Sequence, residues 1–490
     1  MPERLEDRHQ VEGVCCNLHT PSISINHDDV LNLGSSQNRD MYCPERPGQL
    51  RSAEESMTHP HALLGPVRGT ALYVAAIIGP GIMTLPALAA QQAGPASLIT
   101  LGLLLLVSIP IAFTFVALDR RTKVGAAAGI PGYVALAFGQ QTGNLVAAWF
   151  RFGVPIGVPA LALIGGSYVS AAVGGDKLLT VVVAAAITLT ATITTIVRRV
   201  GSGPLMLLLT GVLIILIIVT AITSSPHAHV ENLTPFAPTG VRGVCGSALV
   251  LTWVLTGWEA ATNFTRVLQN PRRNLPRVTV ATLIIVAVLY AAVAVPEILV
   301  LGPHAGDTEA PLAAMLELSL GTTGALIAAV IGVTVALGNS LAYVGSLAEL
   351  GPHPPAGRKD RFGNLLVPNL IIFSGLLLAA FTSIGAEELV SLCAASQIPV
   401  YVVGLAAALK LLPRSSRQWW YALTATTIVS ILLIPAGPYL ALPALITVVM
   451  LFGRKLLHRS PAARPTALLA TRAERSTPAK LSATSTITDA

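Results

Sequence analysis

Apolar runs of about 20 residues recur from residue 68 to residue 457, each closed by a short polar stretch. A helix rises about 1.5 Å per residue, so a run of that length crosses the ~30 Å hydrocarbon layer of a bilayer. Spans are expected at 68–91, 96–118, 141–173, 177–199, 202–224, 243–265, 278–300, 322–348, 364–384, 387–411, 418–435 and 437–456. Inside lipid every backbone amide has to be satisfied within its own segment, which makes these runs helices. The alternating strands of a membrane barrel are absent from the sequence. The third run is too long for one perpendicular crossing, so it is expected to tilt or to leave the hydrocarbon in part. The pattern predicts an all-α integral membrane protein with about twelve transmembrane helices.

The flanks lack this patterning. Residues 1–60 are polar without period, and residues 458–490 are rich in Ala, Ser, Thr, Arg and Pro, so both read as disordered tails around a membrane domain at 65–457. Met57 stands just before the first run, in Met57-Thr58-His59-Pro60-His61, and translation is expected to begin there, with residues 1–56 non-native.

Charge sharpens the topology. Only 11% of the chain is charged, against about a quarter in soluble domains, and the mean hydropathy is +0.68. The net charge of +7 does not gather into a patch for nucleic acid but follows the loops. Alternate loops carry Arg120, Arg121 and Lys123; Arg198 and Arg199; Arg266, Arg272, Arg273 and Arg277; Arg358, Lys359 and Arg361; Lys410, Arg414 and Arg417; and Arg454, Lys455 and Arg459. The loops between them carry only Lys177 and Arg242. Cytoplasmic loops hold the excess of Lys and Arg, so an even span number with both termini in the cytoplasm is expected. An odd number would scramble the separation. The five cysteines, Cys15, Cys16, Cys43, Cys245 and Cys393, have neither a metal spacing nor a paired framework. No cofactor and no metal are expected.

Two runs are interrupted where a helix is costly. The first contains Ile78-Gly79-Pro80-Gly81-Ile82-Met83-Thr84-Leu85-Pro86, in which Pro80 lacks an amide hydrogen and the glycines are poor helix formers. A break is predicted; a proline kink packed by its neighbours is the alternative. The sixth run reads Thr252-Trp253-Val254-Leu255-Thr256-Gly257-Trp258-Glu259. A carboxylate in a span costs roughly 2.5–3.5 kcal/mol on the insertion scale, so Glu259 is either functional or a structural carboxylate bonded to a neighbouring helix's backbone. Spans one and six hold the same place in two successive blocks of five. Paired broken helices mark the substrate site of transporters built from inverted repeats. Exposed amides at such a break suit a carboxylate and freed carbonyls suit an ammonium, which together suit a zwitterion.

Gly79-Pro80-Gly81-Ile82 with Pro86, then Thr256-Gly257-Trp258-Glu259, then Asn270-Pro271-Arg272-Arg273-Asn274-Leu275-Pro276-Arg277 resemble the amino acid, polyamine and organocation (APC) permease superfamily. The likeness runs over about residues 65–455. It implies a five-plus-five inverted repeat with two further helices, working by alternating access. By position it places Ile78, Gly79, Gly81 and Ile82 at the substrate, Thr256 and Gly257 at the second break, and Trp253 as a gating aromatic. An ordinary packing role is the alternative for Trp253. Asn339 and Ser340 in the eighth span could approach the first break and coordinate sodium, or simply hydrogen-bond between helices. Two departures stand out: Val267 replaces the acidic residue often found three positions before Asn270, and the fifth span has no lysine for ion coupling.

Among the weaker polar candidates, Arg151 can snorkel, Ser396 and Gln397 fall in span ten, and Gly165-Gly166-Ser167 reads as a close-packing site. No GxxxxGK[ST] loop occurs, which excludes a nucleotide-driven pump in this chain. The expectation is a secondary carrier, not an enzyme, for neutral or apolar amino acids in the cell membrane. Partners are the amino acid, with H+ or Na+ as the coupling ion, and the lipid bilayer, but no nucleic acid. Ile130-Pro131-Gly132-Tyr133 and Gly153-Val154-Pro155-Ile156-Gly157-Val158-Pro159 resemble bacterial amino-acid exporters, which tilts the direction to export over proton-coupled import. A non-transporting sensor on the same fold is the reading from another class.

Overall fold

The computed structural model describes residues 64–121, 129–197, 202–260, 268–349 and 357–457. Both tails, the Met57 start and Cys15, Cys16 and Cys43 lie outside these residues. Among the described residues the regular secondary structure is helical, with one isolated bridge between Leu64 and Leu268. The elements are α1 (Pro66–Ile77), α2 (Leu85–Ala93), α3 (Ser97–Arg121), α4 (Gly129–Phe138), α5 (Gln140–Val173), α6 (Lys177–Val197), α7 (Ser202–Ser224) and α8 (Gly240–Leu251). They continue as α9 (Pro271–Leu301), α10 (Pro311–Leu320), α11 (Thr322–Glu349), α12 (Arg358–Phe381), α13 (Ala386–Leu411), α14 (Arg417–Ile431), α15 (Leu433–Ala436) and α16 (Ala441–Leu457).

The predicted spans map onto these helices closely, and ten stretches among the described residues are long and apolar enough to cross a membrane. The count falls below twelve for two physical reasons. The first span is broken, leaving α1 with 12 residues, and its second half runs on into α3 as Leu85–Arg121. The last two spans, separated by the turn at Gly437–Leu440, form one apolar stretch, Arg417–Phe452. The long third span is one 34-residue helix that absorbs Pro155 and Pro159. Short α4 and α10, at 10 residues each, were not foreseen because they are too short to register as spans.

Burial is arranged as a bilayer requires. On α3, Leu104 is buried while its neighbour Leu103 is 57% exposed, and α12 turns Phe362, Leu366, Leu370 and Leu377 outward. Thr84, Ser108, Thr188, Asn339, Ser340, Ser396 and Gln397 are buried instead. Without water outside, helices associate through close packing at small residues and through interhelical hydrogen bonds. A Cβ on Gly165 would stand 2.6 Å from that of Ala336 on α11, and Gly166 lies directly against the carbonyl of Thr180 on α6. The predicted close-packing site is thus where α5 meets α11 and α6.

The two ends of the bundle differ. At the basic end Arg361 donates to the Ile196 carbonyl through Nε at 3.2 Å and through an Nη nitrogen at 3.1 Å. At the opposite end Gln92 bonds Glu387, Lys177 bonds the Thr382 carbonyl, and the loop before α10 packs on α2 and α5 through Glu309.

Candidate functional site

The helix of the first span stops where Gly79-Pro80-Gly81 forbids it to continue. Ile78 donates to the Val74 carbonyl and closes α1; Ile78 and Gly79 are then extended, and a 3-10 turn covers Pro80–Met83 before α2 begins. The amides of Gly79 and Gly81 enter none of the backbone hydrogen bonds described for this stretch. Two donors at a half-helix start are what an anionic group can use. Ile78 and Ile82 are fully buried beside them.

The sixth span breaks in the same manner. α8 tightens into a 3-10 turn at Thr252–Leu255, Thr256 is extended, and Gly257 takes φ +98, a conformation that strains any residue with a Cβ. A second 3-10 turn covers Trp258–Ala260. The Thr256 hydroxyl folds back to donate to the Trp253 carbonyl at 2.7 Å.

These two breaks meet. A Cβ on Gly257 would lie 3.2 Å from the Ala76 carbonyl oxygen and 3.3 Å from Ile77 Cα, so the sixth-span break rests on the end of α1. The Tyr73 hydroxyl donates to the Trp258 carbonyl at 2.8 Å, and the two rings pack edge to face at 5.7 Å. Sequence distance between the breaks is large, yet their backbones are in contact.

Glu259 turns back onto its own break. Its Oε2 accepts from the Gly257 amide at 2.9 Å and from the Tyr401 hydroxyl of α13. The carboxylate therefore satisfies an amide freed by the break and ties it to span ten. Tyr401 was not foreseen; a tyrosine in a span is unremarkable by pattern, and its partner is 142 positions away.

Asn339 and Ser340 divide. A Cβ on Gly79 would stand 2.9 Å from Asn339 Oδ1, while Asn339 Nδ2 donates to the Val335 carbonyl of its own helix at 3.0 Å. Asn339 thus lies beside the first break. Ser340 is buried, with no hydrogen-bond partner for its hydroxyl. Trp253 lies on α5 and α13, its ring 3.3 Å from a Cβ placed on Gly157, which also faces Cys393. Beside the sixth-span break a small cavity is lined by Thr252, Leu255, Thr256, Gln397, Ile398, Tyr401 and Val429, without a charged side chain. Gln397 lines it, whereas the Ser396 hydroxyl donates to the Cys393 carbonyl at 2.7 Å. Val267 lies outside the described residues.

Glu297 on α9 was missed although the rule that singled out Glu259 applies to it: a carboxylate inside a span. It is 0% exposed.

Comparison with known proteins agrees with this architecture. The sequence model of the family described as amino acid permease matches residues 64–350. Over 401 residues, 78% of this chain and 92% of the relative, the sequence is 28% identical to the uncharacterized amino acid permease YecA of Bacillus subtilis. Over 316 residues, 62% of this chain and 74% of the relative, it is 26% identical to the L-methionine/branched-chain amino acid exporter YjeH of Escherichia coli. A shorter stretch of 68 residues, 14% of this chain and 12% of the relative, is 34% identical to the vacuolar cationic amino acid transporter 8 of Arabidopsis thaliana.

Proposed function

We propose, from the premise that this chain belongs to the amino acid permease family, that it carries neutral, apolar amino acids across the cell membrane by alternating access, in the direction of export. The observation that carries the reading is the contact of the two breaks, Gly257 upon Ala76 and Ile77, with the unengaged amides of Gly79 and Gly81 beside it. The substrate carboxylate is held by those amides, between Ile78 and Ile82. Carbonyls freed around Thr256 receive the ammonium group, Trp253 gates the site, and Asn339 steadies the first break. Glu259 holds the second break through Gly257 and Tyr401.

Ile78, Ile82, Trp253 and Thr256, the residues assigned to the two breaks, carry no charge, which favours an apolar side chain over a charged one. The relative named as a methionine and branched-chain exporter supports the same substrate class and direction. In this reading the chain makes twelve crossings: a five-plus-five inverted repeat and two further helices. The basic end faces the cytoplasm with both termini.

Proteoliposomes loaded with a panel of labelled amino acids test the reading. Saturable efflux of methionine, leucine, isoleucine and valine, each competing with the others, is expected. Folded protein that binds one of them yet moves none would identify a sensor instead. Gly81→Leu, whose side chain would start 3.1 Å from Leu85 Cδ1 and fill the space beside the free amides, is expected to abolish flux. Unchanged flux would reduce the first break to a kink.

A further inference from the structure

Glu297 sits one turn from the end of α9. Buried positions on that helix, Val286, Leu289, Tyr290, Val293, Ala294 and Ile298, recur at three- and four-residue steps, and Glu297 falls on this interior stripe. It is wholly buried, and neither carboxylate oxygen has a hydrogen-bond partner. An ionised carboxylate left unpaired in an apolar interior is so unfavourable that such a group takes up a proton instead.

Among the described residues no cation on the surrounding elements offsets that charge. Among the elements packed on α9, α2, α7 and the Pro80–Met83 turn carry no ionisable side chain. Glu317 on α10 and the nearby loop residues His227, His229, Glu231, His304 and Asp307 are exposed at the surface. Arg68, Asp119, Arg120 and Arg121 belong to the basic end, as do Arg272, Arg273 and Arg277 of α9 itself, and Tyr73 is engaged with Trp258. Tyr168 of α5 does interact electrostatically with Glu297. Its hydroxyl donates to the Met83 carbonyl at 2.8 Å, and the next residue, Thr84, donates to the Glu309 carbonyl at 2.9 Å. α9 itself packs on the Pro80–Met83 turn and on α2, the segments that these bonds tie to α5 and to the covering loop.

We infer that Glu297 is a proton-binding site that couples amino-acid movement to proton movement, an inference that rests on the alternating-access reading above. Closure of this end converts the carboxylate to the neutral acid with one proton from the aqueous phase. Opening returns that proton to water, and no other bond changes. The missing lysine of the fifth span is thus no obstacle to coupling.

The test is flux of methionine in proteoliposomes containing a pH-sensitive dye, for the wild type and Glu297→Gln. Wild-type flux is expected to move protons and to accumulate substrate against its gradient when a pH gradient is imposed. Glu297→Gln, uncharged and of the same shape, is expected to retain methionine exchange at equal concentrations while losing both proton movement and accumulation. Glu297→Gln that still moves protons with substrate would overturn the inference. So would a variant with undiminished pH-driven accumulation. If the wild type moves no amino acid, the transport reading fails instead. The proton site is then judged by infrared difference spectroscopy across a pH step, where the carbonyl stretch of a protonated carboxylic acid must be present in the wild type and absent in Glu297→Gln.

Discussion

Gly257 is held by two constraints at once, a φ of +98 and the backbone of Ala76 and Ile77 within 3.3 Å of any added Cβ. Gly257→Ala should cost about 1–3 kcal/mol from backbone strain alone and push the two breaks apart. The expected result is a lower melting midpoint in detergent together with loss of flux; an unshifted midpoint would mean the contact yields freely. At Glu259 the informative comparison is between amide and deletion. Glu259→Gln keeps an acceptor for the Gly257 amide and the Tyr401 hydroxyl, so the fold should survive. Glu259→Ala leaves the Tyr401 hydroxyl without its acceptor, at about 1–3 kcal/mol if it stays buried, while the Gly257 amide keeps the Tyr401 oxygen at 3.2 Å. Combined with Tyr401→Phe, Glu259→Ala should cost less than the two single losses together, because both remove the same bond; additivity in melting measurements would show that the pair is not coupled. Residues of this kind differ in how far sequence betrays them. Gly79, Pro80, Gly81 and Gly257 announce themselves because helix breaking is local chemistry. Glu259 and Glu297 are equally legible, since each is a carboxylate among apolar neighbours. Tyr401 and Tyr168 are not, because their roles arise only from a partner on a distant helix.

Short elements cover the end of the bundle opposite the basic loops, and their placement explains a pH dependence. Glu309, between α9 and α10, accepts through its carbonyl from Thr84 at 2.9 Å and from Ser167 at 3.4 Å, and its carboxyl is half buried beside the start of α13. Burial pushes that carboxyl above the usual carboxylate range; the Ala386 amide pulls it back, Glu388 raises it further and Lys177 lowers it. An acid raised in this way binds its proton more tightly in the packed state than in the unfolded chain. Its contribution to stability is therefore present at acidic pH and is lost as pH rises from the ordinary carboxylate value through the raised one. Glu309→Gln should remove that slope: the variant should melt above the wild type at neutral pH, and the gap should close on acidification. A gap that widens on acidification would reverse the sign and refute the account. The sequence could not foretell this cover. At 10 residues, α10 carries too little apolar length to stand out, and the loop before it is fixed by contacts with α2, α5 and α13.

For the molecule as a whole, helix positions were readable because each span must satisfy its own backbone, whereas helix neighbours were not. In water a polar face reports exposure, but in lipid Leu103 and Leu104 on α3 are the same residue, one exposed and one buried. Arrangement instead comes from small residues and buried polar groups, such as Gly165 against Ala336 and Tyr73 against Trp258, which pattern alone cannot pair. Orientation is a different matter, because it rests on charge. Along the sequence the basic loops alternate with loops almost free of Lys and Arg, and Lys and Arg are retained on the cytoplasmic side during insertion. Two exposed sites at opposite ends decide the point: Asp307, in the loop before α10, and Arg414, between α13 and α14. In a background with every cysteine replaced, Asp307→Cys should react with a membrane-impermeant maleimide on intact cells. Arg414→Cys should react only after permeabilisation. Because the basic loops together hold many charges, loss of one arginine leaves the asymmetry in place and cannot itself invert the chain. The reverse labelling pattern would put the basic end outside, and with it the covered end near Glu297 and Glu309 would face the cytoplasm, inverting the side from which the proton is drawn.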